Sequence, residues 1–224
     1  MPLLLNPREN GPPMPVFYHT PMWLRYQTLR FMFIWAALLV LAVSHGLLLT
    51  TVTAMLFGLT LRFDYWSNGV ELLAGVLVYS AASNGWDWGL GLALGLVLGA
   101  GRETLPILAL AGGWFAAALS AGAAATQLVL RRITKTSDEF KKIEHTAEYG
   151  HSQIVYNLSV LTNGGIRFGT EAAFYVAIAA LAFFSAPLLT LGLVAVTFTF
   201  SKIDEPRVLT MLVPWAAGTL CRLA

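Results

Sequence analysis

An arginine beside a glutamate, Arg102-Glu103, separates two long apolar runs: positions 88–101 and 104–130 carry no charge. Ionisable side chains are costly in hydrocarbon, so a pair in such a setting marks a candidate site. Its guanidinium suits a phosphate through paired hydrogen bonds, and its carboxylate suits a proton transfer. The same two residues also read as a tight turn between spans, wetted by headgroups, because Gly101 and Pro106 are turn and helix-start residues. A second group is Asp64-Tyr65-Trp66, with Glu71 following. It offers a carboxylate base beside an aromatic platform fit for a sugar or a lipid headgroup. An interfacial aromatic belt around a solvated loop acid is the plainer account of it. The third group, Asp204-Glu205-Pro206-Arg207, has acids ahead of a proline at a helix start, which is also how ordinary N-terminal capping reads.

Other chemistries find little footing. His145, Glu148 and His151 lack the HExxH spacing, and His151 falls well round the helix from His145, so no metal is indicated and no cofactor is expected. There is no Gly-x-Ser-x-Gly, no Walker loop and no carboxylate array for a metal-dependent phosphotransferase. Cys221 is the only cysteine, which excludes an internal disulfide. His45, alone in an apolar run, reads as a helix-packing polar group. A net charge of +2 with dispersed basic residues implies no nucleic-acid partner.

The elements that must position these residues are transmembrane helices. The chain is 57% hydrophobic and 12% charged, outside the range of soluble domains. Charge-free runs at 31–61, 104–130 and 172–201 are each long enough for a crossing. The expected fold is an all-α, polytopic bundle of about seven spans with a cytoplasmic N-terminus. Residues 1–30 are an irregular arm and an interfacial helix, 31–130 an N-terminal transmembrane half, 131–166 a cytoplasmic amphipathic segment, and 167–224 a C-terminal transmembrane half. Whether 31–61 holds one span, or two broken near Ser44-His45-Gly46, turns on charge bias. With one span there, Arg8, Arg25, Arg30, Arg131, Arg132, Lys135, Lys141, Lys142, Arg167, Lys202 and Arg207 face inward. Only Arg62, Arg102 and Arg222 face outward, the asymmetry of a correct orientation, so one span is favoured. Asp64 and Arg102-Glu103 would then share the outer face. No cleavable leader is evident and the bias suits a bacterial inner membrane.

Gly91, Gly95 and Gly99 repeat every four residues, a ridge on which another helix can close, with Ala116 and Gly122 as its counterpart. A homodimer face is the lesser reading of that ridge.

The order of features resembles part of a GT-C type membrane glycosyltransferase, which moves sugars from polyprenyl-phosphate carriers. The residues concerned are the aromatic, arginine-bearing stretch Tyr18 to Arg30, Asp64 with its aromatics, the Trp- and Gly-rich span before Arg102-Glu103-Thr104, and Glu205 to Pro214. The usual first span and its acidic loop are missing, which implies a reduced or non-catalytic relative. The resemblance implies Asp64 or Glu103 as candidate base. It implies Arg102, Tyr65, Trp66, Glu205 and Arg207 as substrate-binding residues, with a membrane lipid, a polyprenyl-phosphate sugar, as ligand. The alternative is a non-enzymatic accessory or scaffold subunit with a membrane-protein partner. A small-solute transporter would show matched broken helices in both halves, and Arg102-Glu103 has no such counterpart.

Overall fold

The computed structural model describes residues 21–63, 69–100, 104–134, 154–159, 162, 166–200 and 207–224. All regular structure among them is helical. The helices are α1 (Pro21–His45), α2 (Leu47–Phe63), α3 (Gly69–Asn84), α4 (Trp88–Leu98), α5 (Trp114–Thr134), α6 (Ile166–Phe183), α7 (Pro187–Phe200) and α8 (Val213–Leu223). Two 3₁₀ segments, Leu105–Ala111 and Arg207–Leu212, precede α5 and α8. A short helical stretch occupies 154–159.

Run 31–61 is two helices. Gly46, at φ 83°, ends α1 in the left-handed conformation that glycine adopts without a Cβ penalty, and α2 starts at the next residue. The interfacial helix expected before residue 30 is the first part of α1 itself. The Arg30 carbonyl lies against Gly69, where an added Cβ would sit 2.6 Å from its oxygen, and the His45 ring lies 5.1 Å from that of Tyr79. Thus α1 and α3 run parallel, and α2 returns the chain between them.

The parity lost by that extra helix is restored further on. Gly91 meets Phe115, Gly95 meets Leu119 and Gly99 meets Ala123, so α4 and α5 also run parallel. Between them the segment Leu105–Ala111 must bring the chain back. At 11 residues α4 is about 16 Å long, roughly half of α5. It therefore stops beside the middle of α5, and the 3₁₀ segment climbs to the turn at Gly112-Gly113, both at positive φ. The charge-free run 104–130 is this segment plus most of α5. The glycine ridge is used within the chain: carbonyls of α5 lie where Cβ atoms on Gly91 and Gly95 would go, and Gly122 is pressed against α4 in return.

In the second half, α6 rises to Ser185, α7 descends, and the second 3₁₀ segment with α8 rises again past Gly75 and Tyr79 of α3. Asn157 is buried and donates to the Phe198 carbonyl at 2.9 Å, so the Asn157-Leu158-Ser159 sequon is closed by the fold. Helix α3 is buried on nearly every face, and the remaining elements surround it.

Two features of the surface follow. Large apolar side chains point outward: Val43 is 81% exposed, Trp114 85% and Phe184 80%. The helix positions Arg25, Arg30, Arg62, Arg131, Arg132, Arg167 and Arg207 all fall toward one end, called here the basic end, while Arg222 alone of the described basic residues stands at the far end. One stretch among the described residues, Thr28–His45, has the length and mean hydropathy (1.7) to cross a bilayer; the other apolar helical stretches are 10–17 residues long.

Candidate functional site

At the far end, α1, α2, α3, α8 and the α6–α7 turn line an open cavity of about 410 Å³. Each contributes for a local reason. His45 is the last residue of α1, placed there by the Gly46 break. Tyr79 stands one turn before the end of α3. Ser185 occupies the turn that Pro187, as first residue of α7, enforces. Trp215, Gly218 and Arg222 lie on α8 at spacings of three and four, one face of the helix.

The aromatic wall is a chain of rings. His45 and Tyr79 are tilted at 52°, and Tyr79 meets Trp215 edge-on, 88° between planes at 5.6 Å. Gly218 is required here, because a Cβ at that position would strike the Tyr79 hydroxyl. The polar wall is built on Arg222. Its Nε donates to the Gly218 carbonyl at 3.2 Å and its Nη2 to Ser185 Oγ at 2.6 Å. Ser185 Oγ in turn lies 2.7 Å from Thr219 Oγ1. A cation in the last turn of α8 also meets the negative pole of that helix. His45 Nε2 is buried and has no hydrogen-bond partner among the described residues. Among the described residues no Asp or Glu lines the cavity. The arrangement is therefore a positively charged, donor-rich pocket with an aromatic floor, competent to bind an oxyanion that carries an apolar or ring-bearing group.

A second polar focus surrounds the end of α4. Thr126 Oγ1 donates to the Leu96 carbonyl at 2.8 Å, and Gln127 Nε2 donates to the Gly99 carbonyl. Side chains of α5 thus satisfy the carbonyls that a helix stopping midway leaves open. The hydroxyls of Thr104 and Ser120 are buried without partners among the described residues.

Most residues singled out by sequence are not among the described ones. Asp64, Tyr65, Trp66, Arg102, Glu103 and Glu205 lie outside the described residues, as do His145, Glu148 and His151; Arg207 opens the second 3₁₀ segment, and its side chain is outside them too. Their described neighbours are nonetheless informative. Phe63 and Gly69, which bracket Asp64, are at the basic end, whereas Gly99 and Thr104, which bracket Arg102-Glu103, are at mid-length of α5. The expectation that Asp64 and Arg102-Glu103 share one face rested on a single span over 31–61, and the Gly46 break removes that basis. Glu71 is 1% exposed in the first turn of α3, a buried carboxylate and not a member of an outer cluster.

Sequence reasoning passed over Tyr79, Ser185 and Trp215, and read His45 as packing. The available signal was Arg222, the lone basic residue of α8. Among the described residues no three His, Cys, Asp or Glu side chains converge as a metal site would need. Comparison with protein-family models, with curated proteins and with solved structures found no match.

Proposed function

We propose that the chain is a multi-pass membrane protein that binds a lipid-carried sugar phosphate at the face opposite its basic end. The observation that supports this reading most is the one-ended distribution of basic helix positions on a bundle whose flanks expose Val43, Trp114 and Phe184. Positively charged residues gather on the cytoplasmic side of membrane proteins, and contiguous exposed apolar surface marks contact with lipid or partners. On this reading α1, α2, α3, α5, α6, α7 and the 3₁₀–α8 unit make seven crossings. The α4–3₁₀ hairpin enters from the far face and returns to it. The short helices are accommodated by thinning, tilt and the flanking aromatics.

Binding is favoured over transfer. The GT-C resemblance asks for a base and a phosphate-binding cation on one face. Here the neighbours of Asp64 are at the basic end and the exposed cation of the far end is Arg222. The reading is of a membrane protein, in a bacterial inner membrane, that holds or presents a polyprenyl-phosphate sugar.

Single-cysteine labelling in a Cys221→Ser background tests it. A cysteine at Asn84, at the far end, should react with a membrane-impermeant maleimide in intact cells, and one at Arg132 only after permeabilisation. Native mass spectrometry of the detergent-purified protein should show a bound phosphorylated polyprenyl lipid. Labelling of both positions from one side would sink the topology. A stoichiometric protein partner with no lipid would indicate an accessory subunit instead.

A further inference from the structure

We infer that the far-end cavity is a phosphate-ester site in which Arg222 is the anchoring cation. The inference deepens the function proposed above and takes its orientation from it, but the chemistry stands on the cavity itself. Arg222 presents five N–H donors. The contacts to Gly218 and Ser185 use two of them and hold the guanidinium at the wall, so the remaining donors are available to a guest. A fixed, planar guanidinium matches two oxygens of a phosphate better than a mobile ammonium would.

Three further observations point to an anion. Among the described residues no carboxylate lines the cavity, so none of them neutralises Arg222 there. His45 borders the same cavity, and its buried Nε2 has no partner among the described residues. Ser83 adds a hydroxyl at the exposed rim. Volume then enlarges the ligand class. At about 410 Å³ the space falls within the range of small-molecule pockets and far exceeds one phosphate group. The Tyr79–Trp215 wall supplies a flat apolar surface for the remainder, as a sugar ring or a glycerol ester would need. The phosphate ester comes either from a lipid headgroup reached through the bundle flank or from a soluble compound reached from the far side. Both share the chemistry described.

The test uses the full chain in detergent, titrated with polyprenyl phosphate, with the unphosphorylated polyprenol, and with glycerol phosphate, and read by native mass spectrometry. Wild type should bind a phosphorylated probe and not the polyprenol. Preference for polyprenyl phosphate identifies a lipid headgroup site, and preference for glycerol phosphate a soluble one. Arg222→Ala should weaken that binding by about tenfold to a hundredfold, the worth of a charge-assisted pair. Ser83→Phe, a rim change that leaves Arg222 and the core intact, should weaken it as well, so the site remains testable if Arg222→Ala does not fold. Wild-type affinity in both variants, or equal binding of the polyprenol, would overturn the assignment. Binding in detergent does not depend on orientation, so a reversed topology would defeat the reading of the previous section without touching this one.

Discussion

Gly95→Val should dismantle the α4–α5 seam and lower the thermal midpoint of the purified protein by about 10 °C. Leu119 of α5 approaches Gly95 so closely that its carbonyl oxygen occupies the place of a Cβ, and the Leu119 Cα would lie 2.9 Å from the added carbon. These are backbone atoms, which cannot rotate aside as a side-chain end can. Overpacking ordinarily costs 1–3 kcal/mol, and the obligatory shift of one helix puts this case at about 3 kcal/mol or more. For a chain of this size each kcal/mol moves the midpoint by roughly 2–4 °C. The effect should propagate, because moving α4 outward separates the Leu96 carbonyl from Thr126. A thermal shift measurement followed by size-exclusion chromatography checks it. An unaltered midpoint would mean that α4 is not held against α5 in the way described. Gly89, whose added Cβ would meet chiefly the Asp87 side chain, is the control, and Gly89→Ala should be far milder.

The second large effect belongs to Glu71. Its carboxylate is 1% exposed, and it is engaged in the bonding of the folded chain at the first turn of the most buried helix. An acid at that point favours the helix through the positive pole of its N-terminus. Glu71→Lys reverses the sign there and buries an ammonium, a change of about 3–5 kcal/mol by analogy with breaking other buried charge interactions. The expected result is loss of monodisperse protein at ordinary expression temperature. Glu71→Gln keeps shape and acceptor oxygen and should be purifiable, with a stability loss of about 1–2 kcal/mol. Equal yields of the lysine variant and the wild type would show that Glu71 faces water in the working protein.

Much of the helical framework was legible in the residues. Helix α7 (Pro187–Phe200) and most of α6 fall within the charge-free run 172–201, and α5 (Trp114–Thr134) takes up most of the run 104–130, because apolar length bounded by glycine and proline is a local signal. The glycine ridge and its counterpart at Ala116 and Gly122 were legible for the same reason, since close approach demands small residues at a fixed interval. Over 31–61 the favoured single helix gave way to the alternative, two helices broken near Ser44-His45-Gly46. In the membrane reading proposed above, charge bias counts crossings, and a helix that goes halfway and returns would leave the count unchanged while looking like a full span in the sequence. Arg102-Glu103, with Gly101 and Pro106, signalled a break within 88–111, but nothing there showed that α4 would stop beside the middle of α5. The cavity was illegible for a different reason. His45, Tyr79, Ser185 and Arg222 are scattered over four elements, and only tertiary packing makes them neighbours.

The half-length α4 bears on how the chain is made as well as on how it stands. Its terminal carbonyls at Leu96 and Gly99 are satisfied by Thr126 and Gln127, which follow 30 and 28 residues later. Backbone groups left open in hydrocarbon cost several kcal/mol each. A ribosome adds those residues in roughly 2–6 seconds at ordinary elongation rates. For that interval α4 has no partner that would let it stay at depth. If the chain spans the membrane as proposed above, the insertion of α4 is a delayed event, held at the translocation channel or the bilayer surface until α5 emerges. Nascent chains stalled with α4 outside the ribosome but α5 still in its exit tunnel should leave Val97 reachable by a water-soluble label, and chains long enough to expose all of α5 should hide it. Protection at the shorter length would show that α4 enters unaided.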